Sequence, residues 1–144
     1  MGEQQRPVVY DKGKYHLETV DEYGLPESHA YHHTVYFFRW LLEHDLVSEE
    51  FRTETPSFDP SRVTNDSTLN IYEWWDTCLV DDMLSDEGNA FAQHYFDFDK
   101  GQYLADYIGL LQGKLPSEFH IPLTEANYQK LQQIIDRRFA DWKG

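Results

Sequence analysis

Apolar residues recur at helical spacing along residues 30–42, and polar residues fill the positions between them. One wide face carries Ala30, Tyr31, Thr34, Val35, Phe37, Phe38, Leu41 and Leu42, and the opposite face carries His32, Tyr36, Arg39 and Glu43. This pattern predicts an amphipathic helix with one buried side and one side in water. Phe38 lies at the centre of the predicted buried side.

Four later segments show the same period. In "STLNIYEWWDTCL", residues 67–79, the predicted buried stripe is Leu69, Tyr72, Trp75 and Leu79. Helices are also predicted over "EGNAFAQHYF", over residues 103–111, and after Thr124, which is a suitable N-cap residue. The last of these helices carries Tyr128, Leu131, Ile134, Ile135, Phe139 and Trp142 on one face.

The remaining segments have weaker patterns. Residues 1–25 mix Pro, Gly and charge and predict a loosely ordered arm, with one possible strand in "KYHLETV". Residues 52–68 contain two prolines and many turn formers, and predict a long loop. "EFHIPL" is a candidate extended segment. The fold class is therefore mainly α, with minor extended or β pieces (α+β in that sense), in a single compact domain over residues 1–144.

The net charge of −14 is concentrated in the middle of the chain. Residues 43–106 contain sixteen Asp and Glu residues against only Arg52, Arg62 and Lys100. Such a field repels nucleic acid and anionic membranes and attracts cationic surfaces. We therefore expect a protein partner and neither nucleic acid nor a membrane. Acidity that serves only solubility is the simpler alternative.

Cysteine usage and hydropathy bear on the compartment. Cys78 is the single cysteine, the chain starts with no signal-peptide pattern, and no apolar run reaches the ~18 residues that span a bilayer. These features predict a cytoplasmic protein.

The segment "ESHAYHHTVYFFRW" raises the possibility of a metal site. His29 and His33 lie one helical turn apart, but zinc needs three or four ligands and this helix supplies no third. The metallopeptidase pattern needs Glu after the first histidine, where Ala30 stands. We therefore predict no metal and no cofactor, and expect boundary histidines packed beside Phe37 and Trp40. His94 and His120 are free to approach in space, so the metal alternative stays open.

No catalytic motif accompanies the acidic residues. "DFDKG" resembles the start of a calcium loop, but Gln102 and Ile108 stand where the loop needs Gly and Glu. Cys78 has no histidine near it in sequence. The carboxylates at 81, 82, 86 and 87 lack an activated nucleophile or a phosphate-binding glycine loop. We expect no catalytic residues and no enzyme activity.

Trp74 lies off the buried stripe of its predicted helix. It shares its side with Asn70, Glu73 and Thr77, and exposed tryptophan is enriched at binding hot spots. The predicted partner-binding residues are Asn70, Glu73, Trp74, Asp81, Asp82, Asp86 and Glu87. In the alternative, a loop such as residues 54–66 folds over Trp74.

Two runs, "GLPESHAYHHTVYFFRWLLEHDLVSEEF" and "DDMLSDEGNAFAQHYFDFDKGQYLADY", resemble a family of small, acidic bacterial proteins. The positions that carry the resemblance are Leu25, Pro26, His33, Phe37, Trp40, Asp86, Glu87, Gly88, Asn89, Phe91, Tyr103, Asp106 and Tyr107. The family resembles immunity proteins that accompany bacterial toxin systems. Residues 52–68 are less typical of this family, and we expect that they set partner specificity.

Charge and resemblance together favour an immunity protein, monomeric when free. It would inhibit a toxin domain that acts on nucleic acid or nucleotides by covering the toxin's cationic active site. One alternative is a metal-binding protein or enzyme centred on His33, Glu87 and Asp106. A further alternative is an acidic interaction adaptor.

Overall fold

Helices make up most of the computed structural model, which describes residues 8–55 and 58–144. In chain order the elements are β1 (Val9–Lys12), α1 (Leu17–Glu22), α2 (His32–Glu43), α3 (Glu49–Glu54), α4 (Asn65–Trp74), β2 (Cys78–Val80), α5 (Asp86–Tyr95), α6 (Tyr103–Leu111) and α7 (Glu125–Lys143). Short 3-10 turns cover Gly13–His16, Glu27–Ala30, Pro60–Arg62, Asp81–Met83 and Glu118–His120. The prediction of a mainly helical single domain with minor strands is confirmed.

Helix α2 lies at the centre of the molecule, and every residue from His32 to Leu42 is buried. Phe38 packs on rings from α3 and α4, Phe37 on rings from α5 and α6, and Trp40 on Phe139 of α7. Large aromatic side chains thus fill the core.

The prediction of a solvent-facing side on α2 is wrong. Its polar side is covered by the segment that leads into α7. His32 Nδ1 lies 2.8 Å from the Ile121 carbonyl, the Tyr36 hydroxyl donates to the Pro122 carbonyl at 2.6 Å, and Arg39 pairs with Glu125 at 2.8 Å. Burial of these polar groups is tolerated because each one has a hydrogen-bond partner.

In the described part of the chain the sheet is one antiparallel pair, in which Val9 faces Val80 and Asp11 faces Leu79. A bulge between Val9 and Asp11 shifts the register and coincides with the inward orientation of the Asp11 side chain. The strand predicted in "KYHLETV" is wrong, because those residues form a 3-10 turn and α1. The described part of the predicted arm thus holds a strand and a helix, and residues 1–7 lie outside the described residues.

Helix α4 is shorter at its C-terminus than predicted. It ends at Trp74, and Asp76 and Thr77 adopt left-handed backbone conformations, with φ of 62° and 51°. Cys78 and Leu79 then belong to β2, not to the helix. Left-handed conformations are common where a helix ends, and here they redirect the chain into the sheet.

The predicted loop at 52–68 is more ordered than expected. Helix α3 continues through Glu54, a 3-10 turn covers Pro60–Arg62, and α4 already begins at Asn65. The Thr64 hydroxyl caps α4 by accepting from Ser67 N at 3.0 Å. Residues 56 and 57 lie outside the described part of the chain.

The C-terminal half follows the sequence patterns closely. Helices α5, α6 and α7 occupy the predicted segments, and the Thr124 side chain accepts from Asn127 N at 3.1 Å. "EFHIPL" differs, since Glu118–His120 form a 3-10 turn. None of the described helices is long and apolar enough to cross a bilayer.

Candidate functional site

Asp11 is a buried carboxylate with three side-chain hydrogen bonds. Its side chain is 1% exposed. His16 Nε2 lies 2.8 Å from Oδ1, His33 Nε2 lies 2.9 Å from Oδ2, and the Thr34 hydroxyl donates to Oδ2 at 2.5 Å. The donor atoms of Asp11, His16 and His33 all lie within 4.8 Å of one another. We call these three residues the Asp-His cluster.

Three elements bring the cluster together. Strand β1 supplies Asp11, the 3-10 turn that follows it supplies His16, and the first turn of α2 supplies His33. Gly13 begins that 3-10 turn, and its N–H donates to the Thr77 carbonyl at 2.9 Å. A Cβ at this position would overlap the Tyr31 ring, so glycine allows the close approach that returns His16 to Asp11.

The Asp11 side chain holds a negative charge inside the protein. Burial alone would raise the pKa of the Asp11 carboxyl, but hydrogen bonds from His16 and His33, and the charges of these residues, outweigh burial and lower it well below its usual value. The imidazoles of His16 and His33 meet edge to face, with centroids 4.8 Å apart. The Phe119 ring packs on both, and Phe98 packs on His33. The His16 side chain is 20% exposed, which makes it the most accessible of the three.

His29 and His33, which the sequence places one helical turn apart, have different partners in the structure. His29 lies in a 3-10 turn before α2, and its Nδ1 contacts the Phe119 carbonyl at 2.7 Å. Its ring lies beside His32, with centroids 4.3 Å apart. His33 points instead to Asp11, and its closest ring neighbours are His16, Phe98 and Phe119. The expected packing of boundary histidines beside Phe37 and Trp40 is therefore wrong for His33.

The alternative centre of His33, Glu87 and Asp106 is not assembled. Glu87 pairs with Lys143 at 2.5 Å, and Asp106 pairs with Arg138 at 2.9 Å. Asp106 also accepts from the Tyr95 hydroxyl at 2.6 Å. Within residues 8–55 and 58–144, the Asp-His cluster is the only group of three His, Cys, Asp or Glu side chains close enough to share a metal ion.

Histidines 94 and 120 also lie apart from the cluster's donor atoms. The His94 ring lies beside Trp142 at 6.2 Å, and His120 Nδ1 contacts the Ser117 hydroxyl at 2.8 Å.

Burial raises the pKa of the half-buried Cys78 thiol, which disfavours the thiolate. Sequence reasoning missed Asp11 and His16, and the one signal available was an Asp and a His five residues apart before a helix.

Trp74 is exposed, as predicted. It is 62% exposed, and its indole N–H donates to the Glu54 carbonyl at 3.2 Å. Asn70 and Glu73 are exposed on the same helix. The end of α3 therefore touches one edge of Trp74, and none of the described parts of residues 54–66 buries the ring.

Helix α3 extends the acidic surface around Trp74. The Ser48 hydroxyl, which caps α3, donates to the Asp82 carbonyl at 2.7 Å, so α3 lies between Trp74 and the Asp81–Met83 turn. We define the α3 face as the exposed residues Glu49, Glu50, Glu54, Asn70, Glu73, Trp74 and Asp82. The three glutamates of α3 were missed from sequence, although Ser48 followed by two acids indicates a capped acidic helix start.

The other predicted partner-binding residues are less available or lie elsewhere. Asp81 is half-buried, and its backbone N–H donates to the Val8 carbonyl at 2.9 Å. Asp86 is exposed at the start of α5. Glu87, beside it, is engaged by Lys143.

Residues 9–121 match the family model described as "Domain of unknown function (DUF7832)". The chain belongs to this family. No curated protein and no solved structure matches the chain. The DUF7832 region includes the Asp-His cluster and the α3 face, and it ends before α7. The match carries no statement about toxins or immunity.

Proposed function

We propose that the protein is an immunity-type inhibitor that acts in the cytoplasm and binds one cationic partner protein. The partner is a toxin domain that acts on nucleic acid or nucleotides, and the α3 face covers its active site. The observation that carries this proposal is Trp74, which is 62% exposed within an acidic surface. Tryptophan anchors contribute strongly to protein interfaces when a partner encloses them.

Trp74 is held in place before any partner arrives. Its indole N–H bonds to the backbone of Glu54, and the neighbouring Trp75 stacks on Phe51 with ring centroids 5.4 Å apart. These contacts fix the end of α4 against α3. A side chain that is already ordered loses less entropy on binding, which favours affinity.

The charge of the α3 face suits a cationic cleft. Arg52 is the basic residue of α3, and it pairs with Asp45 at 2.7 Å and with Glu49 at 3.4 Å. The remaining glutamates leave the surface net negative. Enzymes that bind polyanions present cationic active sites, and an acidic protein can occupy such a site by charge complementarity.

The proposal predicts that a toxin domain is encoded beside this protein's gene, and the test uses the product of that neighbouring gene. The two proteins are co-expressed and cell survival is scored, and the affinity of a 1:1 complex is measured by calorimetry. We expect Trp74→Ala to weaken binding about thirtyfold, which corresponds to ~2 kcal/mol. Glu50→Lys on α3 should weaken binding too. Glu22→Lys on α1, an exposed acid outside the α3 face, is the matched charge control and should leave binding intact.

Two results would overturn the proposal. The first is the absence of any complex with the neighbouring toxin domain. The second is a complex whose affinity changes equally with Glu22→Lys and with Glu50→Lys, because general charge and not this face would then explain binding.

A further inference from the structure

We infer that Asp11, His16 and His33 form a zinc(II) site with one carboxylate ligand, two imidazole ligands and one position open to water. This inference does not depend on the α3 face or on the proposed partner.

The donor set matches zinc in type and number. Catalytic and exchangeable zinc sites commonly use three protein ligands from His and Asp or Glu, and water completes the tetrahedron. Here one oxygen of Asp11 and the Nε2 atoms of His16 and His33 converge, and all lie within 4.8 Å of one another. Nitrogen and oxygen donors without sulfur also exclude the soft ions that prefer thiolates.

The distances require only local adjustment. Zinc bonds of about 2.0–2.1 Å place tetrahedral donors about 3.3 Å apart, so the most separated donors must approach each other. Asp11 and His33 are fixed by burial, with side-chain exposures of 1% and 5%, whereas that of His16 is 20%. Rotation of the His16 side chain can therefore close the site. The His16 side of the site is also the most accessible to solvent, so a water ligand would lie there.

Outer contacts orient the ligands as metal sites require. The Thr34 hydroxyl donates to Asp11 Oδ2 at 2.5 Å and fixes the carboxylate. The Tyr103 hydroxyl donates to the His33 carbonyl at 2.5 Å and holds the first turn of α2. Phe98 and Phe119 form an apolar wall against the imidazoles. The net charge of −14 further favours a bound cation.

The competing explanation is that the Asp-His cluster is only a structural hydrogen-bond network. The metal-free network and the zinc site differ in which ring nitrogen of His16 and His33 carries a proton. Without metal, each imidazole must carry its proton on Nε2 to donate to Asp11. With zinc on Nε2, that atom carries no proton, and each neutral imidazole is protonated on Nδ1. The tautomers of His16 and His33 therefore distinguish the two states.

The experiment uses the full chain, stripped with a chelator and titrated with zinc chloride by calorimetry. We expect one zinc per chain and a higher melting temperature. His16→Gln should weaken zinc binding by more than about 100-fold, since it removes a direct ligand. The matched control is His94→Gln, an exposed histidine on α5, which should leave affinity unchanged. Nitrogen-15 histidine spectra should show the His16 and His33 protons moving from Nε2 to Nδ1.

His33 and Asp11 are buried, so substitution there can affect folding, whereas His16 is partly exposed and its variant can be checked for an unchanged circular dichroism spectrum. The inference is overturned if the folded wild-type chain binds no zinc. It is also overturned if His16→Gln binds zinc as tightly as His94→Gln, or if zinc leaves both tautomers on Nε2.

Discussion

Trp74 and Trp75 are neighbours in sequence, but only Trp75 packs against the core. Trp75 stacks on Phe51 at 5.4 Å, and its indole N–H donates to the Thr55 hydroxyl at 2.9 Å. Trp74 projects from the same helix end and is 62% exposed. Adjacent helical residues differ by about 100° in direction, which separates a packing role from a surface role.

Alanine substitution should separate these two roles in stability measurements. Trp75→Ala opens a cavity beside Phe51 and should reduce the free energy of unfolding by about 3 kcal/mol. Trp74→Ala removes an exposed ring and should change it by less than about 0.5 kcal/mol. Urea unfolding of both variants provides the measurement. Equal destabilisation by the two substitutions would show that Trp74 serves the fold, and it would remove the anchor from the proposed interface.

Phe38→Ala should be among the more damaging single substitutions in the chain. Phe38 is fully buried, and its ring lies 5.9 Å from Phe51 and 6.2 Å from Tyr72 between centroids. We expect a loss of about 3–5 kcal/mol in the free energy of unfolding. Phe98→Ala, which removes a ring that is 40% exposed, is the control and should cost clearly less. Similar urea midpoints for the two variants would contradict the central position of Phe38.

Stability should fall when the pH is lowered from about 6.5 to about 4. Burial, followed by the like charge of His29 and His33, lowers the pKa of His32 to about 4, although its bond to the Ile121 carbonyl opposes this. The unfolded chain, with an ordinary histidine pKa near 6.5, therefore takes up the proton first. The stabilisation that comes from keeping His32 neutral is complete above about pH 6.5 and is lost toward pH 4. The difference between the pKa of His32 in the folded and in the unfolded chain corresponds to roughly 3 kcal/mol.

His32→Gln tests the assignment of this pH dependence. Gln cannot titrate, so the variant should show a flatter decline in unfolding free energy between pH 6.5 and 4.5. Below about pH 4 both proteins should lose further stability, because the lowered pKa of Asp11 makes the folded state resist protonation. An identical slope above pH 4.5 in both proteins would assign the effect to other groups.

Association with a cationic partner should slow as salt is added. The Debye length falls from ~30 Å at 0.01 M to ~8 Å at 0.15 M, which screens the acidic middle of the chain. Stopped-flow mixing at several salt concentrations measures this rate. Trp74→Ala should keep the same salt slope and dissociate faster, since it removes contact area and no charge. A rate that is indifferent to salt would exclude electrostatic steering.

The amino-acid pattern alone determined the features that depend on near neighbours. Helices α5, α6 and α7 were predictable because their apolar spacing and the Thr124 cap act within about four residues of the chain. The direction of Trp74 away from the buried stripe follows from the same angular argument, whereas its 62% exposure was decided by the structure. Net charge and its concentration in residues 43–106 need no structure at all.

Only the tertiary structure decided which polar groups meet. Asp11 and Thr34 form a hydrogen bond although they lie 23 positions apart in the chain. The pairing of β1 with β2 places Asp11 there, and the bulge in β1 coincides with the inward orientation of the Asp11 side chain. His32, Tyr36 and Arg39 are buried because the chain returns to cover them near residues 121–125, more than eighty positions later. A polar residue on a helix face is compatible with water or with a buried partner. Helical periodicity cannot distinguish these outcomes, because the partner comes from a distant segment.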